Sequence, residues 1–143
     1  MTRDEVVEEA RKYLFVPFRH RGRLPAYGLD CLGLGIVVAD HFGVHYEDMP
    51  DYSNQPHPRR LVLTHLRKFL KPMPITGNLI GCVGIFAMVR LPAHIGFFSW
   101  KENRQHVVHV RMDCGVAEEP FSHDVVKSPM RIIDVLAFPE LED

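Results

Sequence analysis

The sequence predicts an α+β domain. Three observations carry that expectation: helical periodicity in the first half of the chain, short runs rich in Val, Ile and Phe in the second, and connections containing glycine or proline between them. A length of 143 residues suits one domain spanning 1–143 and is too short for two independent cores.

The first helix is expected over 3–13. Thr2 and Glu5 have capping-box spacing, and Val6, Val7, Ala10, Tyr13 and Leu14 follow at helical intervals. Residues 16–29 hold Pro17, Gly22, Pro25 and Gly28, which makes them a surface loop bordering a site. Asp30 then stands where an N-cap belongs, and 31–42 form an apolar second helix with Gly43 at its stop. Gly33 and Gly35 each weaken a helix by about 1 kcal/mol. That is tolerable in a buried helix that another element approaches closely.

A polar connection is expected at 46–58. Leu61, Val62, His65, Leu66, Phe69 and Leu70 then predict an amphipathic third helix, closed by Lys71 and Pro72. Strands are expected at 83–90, 94–100, 105–112 and 132–138, forming an antiparallel sheet. Lys101-Glu102-Asn103-Arg104 is a polar turn, so His94 lies on one arm of a hairpin and His106 and His109 on the other.

Composition narrows the function. With 46% apolar and 24% charged residues the chain reads as an ordinary soluble domain, and no apolar run approaches the roughly 18 residues of a membrane span. A formal net charge of −1 provides no basic face for nucleic acid. The acidic start Met1-Thr2-Arg3-Asp4-Glu5 lacks the pattern of a secretory leader. Cys31, Cys82 and Cys114 are an odd number in unlike surroundings, which predicts free thiols rather than a disulfide framework.

Cys31 directly follows the cap of an apolar helix, where the positive end of the helix dipole favours a thiolate and free backbone N–H groups can stabilise an oxyanion. Burial as a small hydrophobe is the competing reading. His94 opens a strand and is the candidate general base. A third group should orient its ring, and His106 and His109 are the candidates. They sit three apart on one strand and therefore point to opposite faces, so only one can reach His94. The same histidines with Cys114 make a poor zinc set, because His-x-x-His on a strand splays its ligands and no Cys-x-x-Cys accompanies it. Neither a metal nor another cofactor is expected. Cys31 is expected to alkylate near neutral pH ahead of Cys82 and Cys114, which read as buried structural thiols.

Several segments resemble one family. Pro17-Phe18-Arg19-His20-Arg21-Gly22-Arg23 and Gly28-Leu29-Asp30-Cys31-Leu32-Gly33-Leu34 are followed in order by Tyr52-Ser53, Gly81-Cys82-Val83-Gly84-Ile85-Phe86, Pro92-Ala93-His94-Ile95-Gly96 and Val107-Val108-His109. This ordered set is similar to the NlpC family of papain-like cell-wall cysteine peptidases, in particular its bacteriophage-tail branch.

The resemblance implies a papain-like NlpC fold and hydrolysis of a peptidoglycan stem-peptide amide, typically between D-glutamate and a diamino acid. Carried over by position, Cys31 is the nucleophile, His94 the base and His109 the orienting residue. Phe18, Arg19, Arg23 and Asp30 border the substrate, with Arg19, Arg21 and Arg23 available to stem-peptide carboxylates. Phe18 replaces a tyrosine common in the wider family, Leu32 a small residue, and Cys82 an acidic one. The resemblance also implies delivery as part of a virion tail tip, with tail-tip or hub proteins as partners and action in the host periplasm or cell wall. A tail subunit that keeps the fold without cleaving, and an amidase or acyltransferase on the same scaffold, are the rival readings.

Overall fold

The computed structural model describes residues 1–49, 59–88, 93–124 and 130–143. Its first half is helical: α1 spans Arg3–Arg11, α2 Cys31–His41 and α3 Arg59–Leu66. The capping box of α1 is present in full, with Glu5 N–H donating to Thr2 Oγ1 and Thr2 N–H to Glu5 Oε2. Between α1 and α2 the chain is not wholly irregular. Two short strands, β1 (Arg23–Leu24) and β2 (Gly28–Leu29), pair antiparallel, and Phe18 bridges to Leu29.

The second half is a six-stranded antiparallel sheet built from β3 (Lys71–Pro72), β4 (Val83–Ala87), β5 (His94–Lys101), β6 (Arg104–Arg111), β7 (Gly115–Pro120) and β8 (Arg131–Ala137). Its order is β3-β8-β4-β5-β6-β7. The four expected strands are there, and the β5–β6 turn is made by Glu102 and Asn103, both at positive φ, as a tight two-residue hairpin requires.

Three expectations are corrected. The first helix stops at Arg11 and the third at Leu66, both short of the apolar periodicity that suggested longer spans. Lys71 and Pro72 do not merely end a helix; they pair with Ala137 and Leu136 as an edge strand, a position where proline's missing N–H is harmless. Residues 115–120 form a strand that periodicity did not reveal. The expected connection at 46–58 and the Tyr52-Ser53 match fall largely outside the described residues, as do Val89, Arg90 and Pro92.

One face of the sheet receives the helices. Ile95 points at α2, where a Cβ on Gly35 would lie 3.2 Å from Ile95 Cδ1. Arg11 at the end of α1 reaches β7, with three hydrogen bonds to the nearly buried carboxylate of Glu118. Leu34, Val38, Phe97, Val108 and Val110 belong to the core, and alternation along the central strands sends His94, Gly96, Phe98, Val107 and His109 the other way. No described helix is long and apolar enough to cross a membrane.

Candidate active site

Cys31 is the first residue of α2 and is partly exposed. Asp30 builds the helix start beneath it. Its Oδ1 accepts from Gly33 N–H at 2.8 Å and from Arg23 Nη1 at 2.8 Å, and its Oδ2 accepts from Arg21 N–H at 3.1 Å. Arg23 continues to Asp48 through Nε and Nη2, at 2.7 and 2.9 Å. The loop before α2 is thereby tied both to the helix cap and to the segment after the helix.

Steric fit reinforces this tie. A Cβ on Gly33 would lie 2.0 Å from Gly22 O, so only glycine lets the loop backbone rest on the first turn of α2. Gly33 and Gly35 thus serve two approaches, one to the loop and one to the sheet.

The backbone amides of Ile95 and Leu32 meet the Cys31 sulfur and lower its pKa, but burial and the adjacent Asp30 carboxylate raise it more, to about 11. The expected thiolate bias of the helix start is therefore outweighed at rest, and Cys31 is a protonated thiol at neutral pH.

His94 begins β5, and its ring packs over Phe86 with centroids 6.5 Å apart. Its Nε2 lies 2.9 Å from Nδ1 of His109, and the two rings stand nearly perpendicular at 84°. Gly96 explains how they meet. It faces His109 across the β5–β6 ladder, and a Cβ there would lie 3.0 Å from His109 Cβ and 2.6 Å from Val107 Cγ1. The His-x-Gly spacing clears the diagonal that the His94 ring crosses. Both histidines are buried. Burial pushes the His94 pKa down to about 3, helped by His109 and opposed by Glu119. Burial lowers His109 as well, against the pull of Glu119.

Of the two candidate orienting histidines, geometry brings His109 to His94. His106 faces away, with Nδ1 3.1 Å from Arg104 O. His109 Nε2 in turn lies 2.9 Å from Glu119 Oε2, and Arg111 Nη1 donates to the other oxygen of that carboxylate. Sequence reasoning missed Glu119 because it missed β7; the acidic pair before Pro120 was the available signal. The Cys31 sulfur meets the amide of Ile95, the residue that follows His94 in β5. Among the described residues, no hydrogen bond joins the sulfur to the His94 ring.

The loop residues divide. Phe18 is half-buried and packs on the core. Arg23 and Asp30 are bound to each other. Arg19 is exposed, and with Arg21, Arg23, Leu24 and Tyr27 it lines an open concavity of about 420 Å³ beside the helix start. Cys82 is buried, as expected, whereas Cys114 is exposed, which corrects the view of it as a buried thiol. Among the described residues, no three His, Cys, Asp or Glu side chains converge as a metal-ligand set.

Compared with known proteins, the chain matches no family model and no curated sequence.

Proposed function

We propose that the protein is a cysteine peptidase of the NlpC type that hydrolyses a peptidoglycan stem-peptide amide while part of a phage tail. The observation that carries this reading is the placement of a helix-start cysteine against the strand whose first residue, His94, is bonded to His109. A helix-start thiol and two hydrogen-bonded imidazoles on the adjoining strands are the groups that acyl transfer uses as nucleophile, base and orienting group.

His94 Nε2 is engaged with His109, which leaves Nδ1 for the thiol proton. Cys31 Sγ attacks the scissile carbonyl as its proton passes to His94 Nδ1, and backbone N–H groups at the helix start receive the developing oxyanion. Collapse of the tetrahedral intermediate breaks the C–N bond, and His94 returns the proton to the leaving amine. Water, deprotonated by His94, then attacks the thioester, and the second collapse releases the acid and restores the thiol. The concavity at Arg19 and Arg21 offers guanidinium groups to a stem-peptide carboxylate, and tail-tip or hub proteins would bring the site to the wall.

A second reading has its own support. With the thiol raised to about 11 and the imidazole lowered to about 3, both groups are neutral at rest rather than a preformed ion pair. A structural tail subunit that retains the fold, or an enzyme whose site is completed by substrate or partner, would have this electrostatic signature.

Incubation of the purified protein with muropeptides, followed by mass spectrometry, tests the proposal. Cleavage by wild type and loss of cleavage in Cys31→Ala and His94→Ala is the expected result. Intact muropeptides after incubation with wild type would favour the structural reading.

A further inference from the structure

We propose that Glu119 is a positioning residue of this site, fixing through His109 which nitrogen of His94 is available to the Cys31 proton. The inference rests on the peptidase reading above and adds a fourth member to its machinery.

A carboxylate only accepts hydrogen bonds. Glu119 Oε2, 2.9 Å from His109 Nε2, therefore requires the proton of His109 to sit on Nε2. Burial disfavours a second proton on this ring, so Nδ1 carries a lone pair and accepts from His94 at 2.9 Å. His94 must then hold its proton on Nε2 and keep Nδ1 bare. A single carboxylate on β7 sets the tautomers of two rings on β6 and β5, as second-neighbour groups commonly do for catalytic imidazoles.

Glu119 is itself held. Arg111 donates to its Oε1, and Arg111 is anchored on Asp113 through two further hydrogen bonds of 2.9 and 2.6 Å. The charged groups around His109 are thus Glu119 and, through it, Arg111, with His94 on the other side. An ordinary cross-strand ion pair would need only Arg111 and Glu119. The aim of the second carboxylate oxygen at a buried imidazole is what sets this pair apart.

The isosteric Glu119→Gln variant gives the test. Its one amide oxygen is claimed by Arg111, so its NH₂ faces His109 Nε2, which must become an acceptor. Both tautomers should then reverse, placing a proton on His94 Nδ1, where it blocks transfer from the thiol. In Glu119→Gln combined with Arg111→Leu the amide is free to turn its oxygen to His109, and the original tautomers should return. Long-range ¹H–¹⁵N correlation spectra of the imidazoles in the full chain read this directly and do not depend on any substrate.

Reversal in the single variant and restoration in the double variant is the expected outcome. Unchanged tautomers in Glu119→Gln would overturn the proposal. With muropeptides, kcat should fall on the order of 10²–10⁴-fold with little change in KM, as for other wrong-tautomer variants, and should recover in the double variant. Unchanged kcat alongside reversed tautomers would also overturn it. Wild-type protein that cleaves nothing, yet shows the reversal in Glu119→Gln, would instead favour the structural reading and leave the tautomer control standing.

Discussion

Asp30 caps the helix that carries Cys31, and its carboxylate, after burial, raises the Cys31 pKa. The charge that builds the helix start opposes the thiolate at its first residue. A substrate or partner that presents a further cation to Asp30 would lower the Cys31 pKa by removing the second of its two causes, burial being the first.

Alkylation separates these effects. Iodoacetamide should modify exposed Cys114 first at neutral pH, with Cys31 slower and accelerating as pH rises toward about 11. Asp30→Asn keeps an acceptor for Gly33 N–H while removing the charge, and should shift the Cys31 rate profile to lower pH. Peptide mapping by mass spectrometry gives both rates. A Cys31 profile already flat below neutrality would mean a preformed thiolate and would contradict a thiol protonated at rest.

Stability should decline on mild acidification. The folded state holds His94 near pKa 3, whereas the unfolded chain takes up a proton near 6.5. Between these values the unfolded state binds more protons, so the stabilisation is complete above about 6.5 and is lost as pH falls toward 3. From about pH 7 to about pH 5 the loss amounts to about 2 kcal/mol for His94 alone. His109, lowered in the same direction, adds to it. Urea midpoints at the two pH values measure the change, and His94→Gln should flatten it.

Gly33→Ala should be the most damaging of the glycine-to-alanine substitutions in and just after α2. The new Cβ would meet a backbone oxygen at 2.0 Å, and the loop has to move, at a cost of about 2–3 kcal/mol. Gly35→Ala meets only the flexible end of Ile95 at 3.2 Å and should cost about 1 kcal/mol or less. Gly43→Ala meets nothing within 4 Å but keeps φ at +66°, so its loss of about 1 kcal/mol is purely conformational. Thermal or urea denaturation of the three variants checks the order.

Arg23→Lys should not be conservative. One guanidinium spans Asp30 and Asp48 with three side-chain hydrogen bonds, a geometry that a single ammonium cannot reproduce. A loss of about 1–3 kcal/mol is expected because the buried Asp30 carboxylate loses a charged donor. Double-mutant cycles with Asp48→Ala would apportion the loss between the two partners.

The parts of the fold legible in the sequence are those whose signal is local. Thr2 with Glu5, Asp30 before an apolar run, and Glu102-Asn103 between β-rich segments each announce a structure within a few residues. The missed strand β7 shows the converse. Glu118 and Glu119 are poor strand formers, and they are accommodated by Arg11 and Ser99 from elsewhere in the chain and by His109 and Arg111 on the preceding strand, none of them within the segment itself. The third helix ends early because the chain is needed at the sheet edge, a demand set by Leu136 and Ala137. The choice between His106 and His109 became geometric once the β5–β6 register placed Gly96 opposite His109.

Chain order has a consequence for biosynthesis. Cys31 leaves the ribosome well before β5, β6 and β7 exist, so a growing chain presents its thiol before the strand that meets it has been made. A copy ending before Glu119 would lack the carboxylate that holds His109, so the His94–His109–Glu119 relay is completed only when β7 joins the sheet.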